Sequence, residues 1–447
     1  MMTQTNYYDV TNWPIGNPYT DIGEVINSII SDIKTRQTDI DSNDGGKPGA
    51  VIYLPPADYH LKTQIIIDIS FLKIVGSGHG FTSSSIRFNV PEEEWPNLHE
   101  LWPGGSRILN ELSYDSNDLE HQNAAFYVHR TGSPRISSVE FSNFCIDGLH
   151  FISDGSSEPN VENTYVNGKT GIYIADAQDS FKISGMGLVY LEHGLIVYNA
   201  DALTIHDNFI AECGNCIELR GWGQASKVTD NLIGAGFKGY SIYSENFAQI
   251  LISSNNIFPR GKSSIHLNSV TRSLISNNIL HSFYPGMVIL ENDSSENLIT
   301  ANHFLRDREP WIPMQIHDNG LLDTFGLLAI HGNNNSIIGN HFSEIIDSEY
   351  IKPKNEKPVI IHVLSGSKNY ISNNNCVAKA ANTESGDSAF AAQVDSLLQV
   401  TKQDPLAMLS VVIDDLSNEN TVLDSGTDIQ IILDKQKNAL RATPIII

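Results

Sequence analysis

The chain has 447 residues, 40% of them hydrophobic and 18% charged. That length allows two or three compact domains or one elongated repeat domain, and the composition suits an ordered β-rich protein rather than a disordered one. With 52 acidic against 28 basic residues the formal charge is −24, a surface that repels phosphate backbones and anionic lipid, so no nucleic-acid or membrane partner is expected and a neutral substrate fits better.

The opening MMTQTNYYDV lacks the basic and apolar regions of a secretory signal, and no run reaches the ~18 apolar residues of a membrane span, so the expected location is cytoplasmic. Residues 21–36 place Ile22, Val25, Ile26, Ile29, Ile30 and Ile33 on one helical face, with Asp21 and Glu24 spaced as a capping box. We divide the chain there: residues 1–49 form a lead and capping helix, and residues 50–447 form a β-domain that opens with the short runs AVIYLPP, QIIIDIS and FLKIVGSG.

From residue 205 onward the chain repeats. Aligning HDNFI, TDNLI, SNNIF, SNNIL, ANHFL, GNHFS and SNNNC puts Asn208, Asn231, Asn256, Asn278, Asn302, Asn340 and Asn374 in one column, with steps of 23, 25, 22 and 24 residues before two longer ones. A period near two dozen is a solenoid signature. Each unit holds apolar runs of three to five residues (LTI, CIEL, SIHL, MVIL) rather than helical spacing, so three short strands per turn stack into a parallel β-helix. The Asn column then forms an internal ladder, its amides bonding from coil to coil. Leucine-rich repeats share the period, but the L-x-x-L-x-L frame is missing. Insertions near residues 91–122, 306–325 and 349–358, and a candidate lid over 377–410 with a helix near 389–400, give the scaffold extra surface.

Four cysteines, Cys145, Cys213, Cys216 and Cys376, are too few for a disulfide framework. Cys213 and Cys216 form a single C-x-x-C at a turn between strands, which reads as buried structural thiols rather than a metal or redox site; no metal and no cofactor are expected.

Two carboxylates eleven residues apart, Asp207 and Glu218, lie within one coil. Alternation in Ile217-Glu218-Leu219 turns the aliphatics inward and the acid outward, while Asp230 repeats the Asp207 position one coil later, so Asp207 is equally explained as a turn residue. Glu192 and His193 one coil earlier, Trp222 just beyond, and His266 further on could line the same groove or simply belong to a polar solenoid face. Tyr284 and Met287 in FYPGM and Arg260 in FPRGK offer a stacking ring, an apolar contact and a donor, though turn structure explains those motifs too. No Ser-His-Asp set, P-loop or dinucleotide fingerprint appears. A carboxylate pair on a β-helix points to glycoside chemistry by acid and base.

The segments NGKTGIYIADAQDSFKISGMGLVYLEHGLIV, ADALTIHDNFIAECGNCIEL, NIFPRGKS, FYPGM and ENLITANH closely resemble the inulin fructotransferases and difructose-dianhydride hydrolases of glycoside hydrolase family 91. The likeness implies a single-stranded right-handed parallel β-helix of the pectate-lyase-like kind, a homotrimer with its active site at the subunit interface, no metal, and a fructose-based oligosaccharide as substrate. Carried over by motif, it implies that Asp207 and Glu218 are catalytic, with Asp207 assigned as acid and Glu218 as base. The expected reaction is hydrolysis of difructose dianhydride III to inulobiose. The alternatives are an inulin fructotransferase releasing dianhydride III or I, and a non-catalytic carbohydrate-binding β-helix.

Overall fold

The stripe of Ile and Val at the chain's start forms the helix Ile22–Thr38, and its six apolar residues are all buried. In the computed structural model, which describes residues 6–38, 48–80, 93, 104–113, 115, 117–149, 166–175, 179–236, 239–258, 261–308, 320–347, 357–381, 403–405, 408–423 and 432–434, this helix covers the first coil. The expected capping box takes another form. Asp21 accepts from the Gly23 N–H (3.0 Å) and also from the N–H groups of Lys62 (3.1 Å) and Thr63 (3.2 Å) and the Thr63 hydroxyl (2.6 Å), so one carboxylate starts the helix and ties it to the coil beneath, while Glu24 is exposed. Burial pushes the Asp21 carboxyl up, but these donors outweigh it and hold it below its ordinary value.

The chain divides into two units, Met1–Pro159 with Asn163–Gly234, and Asn160–Glu162 with Ala235–Ile447. Each is a parallel β-helix whose successive strands fall in turn into three sheets. In the first unit the third sheet runs through Ile65–Ile67, Ala124–Val128, Thr170–Ala175, His193–Tyr198 and Asn215–Arg220. In the second the corresponding sheet holds Tyr240–Glu245, Ser263–Asn268, Val288–Glu291, Leu328–Ile330, Val359–Val363, Leu409–Ile413 and Ile432–Asp434. Among the described residues strand pairing is parallel except between Asn375–Ala381 and Gln403–Pro405. Inward residues stack on like residues one coil away; Phe304 and Phe342, for instance, lie 4.4 Å apart centre to centre.

The Asn ladder is present in both units. Asn208 bonds to Asn231 in the first, and in the second Asn255, Asn278, Asn302, Asn340 and Asn374 bond in succession, each accepting side-chain oxygen taking the backbone and side-chain nitrogens of the preceding Asn at 2.9–3.1 Å. One rung is corrected: Asn255, not Asn256, belongs to the column. Ile257 pairs in register with the inward Leu280 and Asn256 with the exposed Ile279, and a slip of one residue would have turned the apolar side outward. A second ladder, Ser273, Asn297, Asn335, Asn369 and Asn420, runs at another corner of the second unit and was not anticipated.

The second unit also buries charge. Arg306, fully enclosed, pairs with Asp323 (2.5 Å) and, through Nε, with the equally enclosed Glu344 (3.1 Å). Residues 91–92, 94–103, 114 and 116 of the first insertion, 309–319 of the second, 349–356 of the third, and 382–402 of the candidate lid, with its 389–400 helix, lie outside the described residues. No helix among the described residues is long and apolar enough to cross a membrane.

Candidate active site

One coil of the first unit carries both expected acids. Its strands are Thr204–His206, Phe209–Cys213 and Asn215–Arg220, one in each sheet. Ile205, Ile210, Ile217 and Leu219 are fully buried, so alternation sends them into the coil and turns Glu218 to the outer side of the third sheet. Asp207 stands at the corner between the first two strands with φ 55°, its carboxylate exposed and 2.6 Å from His206 Nδ1. The apolar interior of the coil lies between the two acids. The strand Phe209–Cys213 alone spans about 16 Å, more than the ~5–10 Å across which paired glycosidase carboxylates act.

The turn explains where Asp207 sits. Asp230, Ser254, Asn277, Ala301 and Asn373, each preceding a ladder Asn, share the left-handed conformation (φ 55° to 58°). Since Ala and Ser serve there as well, the backbone does not require a carboxylate at Asp207.

Glu218 is only 2% exposed and sits in a dense polar cluster. Its Oε1 lies 2.5 Å from His193 Nδ1, and its Oε2 accepts from Arg220, whose other amino group donates to Glu120 (2.6 Å). His193 Nε2 in turn faces Glu120 (3.6 Å) and Glu192 (3.8 Å). Burial pushes the Glu218 carboxyl up, but the His193 and Arg220 contacts outweigh it and hold it below the ordinary carboxylate range. A glycine allows this proximity: a Cβ on Gly194 would stand 2.6 Å from the Cys216 carbonyl oxygen, so any side chain there would force apart the strands that carry His193 and Glu218. Tyr127, Tyr173, Ile196 and Glu218 lie in register on successive strands of this sheet, with the buried Ile196 directly beside Glu218.

The remaining candidates fall in varied places. Glu192 is buried, with one oxygen accepting from the N–H groups of Asn167 (3.1 Å) and Gly168 (2.8 Å). Trp222 is exposed, and Arg135 lies over its ring at 5.3 Å. In the second unit, His266 bonds to Glu291 (2.6 Å), packs edge-on against Tyr240 and Tyr243, and is held below its usual value by burial. Tyr284 and Met287 are buried at 2% and 1%, so neither offers a face to solvent. Arg260 lies outside the described residues. The four cysteines are buried free thiols, and burial raises Cys145 and Cys216 and pushes Cys376 up to about 12. Among the described residues no group of three or more His, Cys, Asp or Glu is arranged to hold a metal.

Sequence reasoning missed Arg220, Glu120 and Asn167. Arg220 was within reach of it, since a residue two positions beyond an outward Glu in a strand shares its face.

Comparison with known proteins fixes the family. Residues 301–444 match the family model described as the beta helix repeat of inulin fructotransferase, and residues 117–312 match that of the periplasmic copper-binding protein NosD. The DFA-I-forming inulin fructotransferase of Arthrobacter globiformis is 43% identical over 380 residues, which are 84% of this chain and 90% of that protein. The chain belongs to glycoside hydrolase family 91. It is therefore a carbohydrate-active enzyme built on a parallel β-helix. Among solved structures of this kind, DFA-IIIase from Arthrobacter chlorophenolicus A6 in complex with DFA-III is 63% identical, covers 99% of both chains and superposes with a TM-score of 0.89. The same enzyme without its lid, in complex with GF2, is 59% identical over 99% of this chain and 100% of that one, with a TM-score of 0.85.

Proposed function

We propose that this family 91 enzyme hydrolyses difructose dianhydride III to inulobiose. The observation that carries the reading is the 63% identity over 99% of the chain with an enzyme that takes DFA-III as ligand, against 43% over 84% with a transferase that forms the other dianhydride. A cytoplasmic setting suits an enzyme that opens a small cyclic disaccharide rather than a polymer.

In this mechanism water attacks an anomeric C2, the bond from C2 to the bridging oxygen breaks through an oxocarbenium-like state, a protonated Asp207 gives its proton to the departing oxygen, and Glu218 takes the proton from water. Arg220 and His193 keep Glu218 ionised, the state a base needs, and leave lone pairs to accept a proton. The two acids occupy opposite sides of one coil, which supports a homotrimer in which Asp207 of one subunit completes the Glu218 site of the next. A segment within 377–410 serves as the lid that favours a disaccharide over a polymer.

The 43% relative keeps a second reading in play, an inulin fructotransferase in which a fructose hydroxyl replaces water. Incubating the purified protein with inulin, inulobiose and difructose dianhydride III in parallel separates the two. The hydrolase yields inulobiose from the dianhydride. Release of cyclic difructose from inulin with the dianhydride left intact selects the transferase.

A further inference from the structure

Resting on the reading of Glu218 as base, we infer that His193 is a positioning residue that fixes one oxygen of the Glu218 carboxylate through its Nδ1–H. An ionised carboxylate only accepts, so at 2.5 Å the proton of this pair belongs to Nδ1. Asn215 Nδ2 stands 3.5 Å from the same nitrogen, the limit of a bond, and does not compete.

The imidazole is itself built in. His193 is 5% exposed and opens the strand His193–Tyr198, whose backbone N–H is bonded to the Lys169 carbonyl (3.1 Å). Its far nitrogen faces Glu192, a buried carboxylate anchored by the Asn167 and Gly168 amides, and the Glu192 N–H donates in turn to the Asn167 side-chain oxygen (3.1 Å). Backbone amides thus hold Glu192, Glu192 faces His193, and His193 holds Glu218. Arg220 supplies the second fixed contact, so the carboxylate is pinned at both oxygens in one rotamer with lone pairs left for a substrate proton. Among the described residues, the charged and titratable groups around Glu218 are His193 from the preceding coil and Arg220 and Cys216 from its own strand. One step further out are Glu120, Glu192 and Tyr173.

The test compares His193→Asn, whose amide nitrogen takes the place of Nδ1, with His193→Gln, whose amide nitrogen takes the place of Nε2, each measured as kcat and KM on difructose dianhydride III across pH, with Glu218→Gln as control. Losing the donor to Glu218 raises its carboxyl toward the ordinary glutamate value. His193→Gln therefore moves the acid limb of kcat/KM upward and lowers kcat roughly tenfold with KM little changed, while His193→Asn stays near wild type in both respects. Equal behaviour of the two variants, an unmoved acid limb despite lost activity, or a change in KM alone overturns the inference. An active Glu218→Gln variant overturns the reading of Glu218 itself, whatever His193 does. Should either His193 variant fail to fold, the limb position in the other decides the matter, since packing damage alone does not shift it.

Discussion

The corner at Asp207 and the face at Glu218 belong to the same coil and are built in opposite ways. Glu218 is enclosed, with both oxygens held and its charge stabilised by His193 from the preceding coil and by Arg220 from its own strand, whose other amino group is held by Glu120, a hundred positions away. Asp207 is exposed, its partner among the described residues is the adjacent His206, and its backbone conformation is shared by Asp230, Ser254, Asn277, Ala301 and Asn373. One acid is organised by its own chain. The other is presented outward to solvent.

The largest effect tests that division directly. Asp207→Asn and Glu218→Gln should each lower turnover of the dianhydride by about a thousandfold, within the range of a lost general acid or base. If the pair forms across subunits, co-refolding the two inactive variants in equal amounts restores activity, because about a quarter of interfaces then join an intact Glu218 to an intact Asp207. If both acids act from one chain, every mixed site keeps a defect and the mixture stays dead.

A second effect concerns acid stability. The folded Glu218 carboxyl lies below its unfolded value, so it contributes stability that is fully present above the ordinary glutamate range, near about pH 4.3, and is lost as pH falls through the depressed folded value. Tm measured against pH should fall more steeply below that point in the wild type than in Glu218→Gln, whichever is more stable at neutral pH. Parallel curves would mean that His193 and Arg220 do not favour the charged form.

This contrast also explains what could be read from the chain beforehand. The helix stripe, the two-dozen period and the outward turn of Glu218 rest on local spacing, and they were legible. The Asn column was read one residue out at Asn256 because SNNIF and SNNIL look identical, and only strand register distinguishes Asn255 as the rung. The second ladder escaped because Ser273 stands where later coils use Asn, which hides the repeat from a single-letter alignment. Neither the Arg306–Glu344 pair nor the Glu120–Arg220 bridge leaves a local signal: an Arg in an apolar run reads as outward until its partner is known, and the bridge joins residues a hundred positions apart. The Glu218 face therefore had to be completed by the structure, whereas the Asp207 corner was already complete as a turn.

The smallest effect separates Asp207 from its column-mate. Asp230 has the same corner, nearly the same φ (58° against 55°), the same exposure class and a ladder Asn after it, so as a turn residue it is equivalent. Asn tolerates the left-handed conformation at least as well as Asp, so Asp230→Asn should shift stability by less than about 0.5 kcal/mol and leave kcat and KM for the dianhydride unchanged. The same substitution at Asp207 should be equally mild for Tm and severe for kcat. The two measurements together isolate the carboxylate from the turn that carries it, since only a chemical role distinguishes neighbours that the backbone treats alike. If Asp230→Asn also abolishes turnover while Tm holds, the choice of Asp207 is wrong or incomplete, and the acid facing Glu218 must be sought one coil further along the same corner.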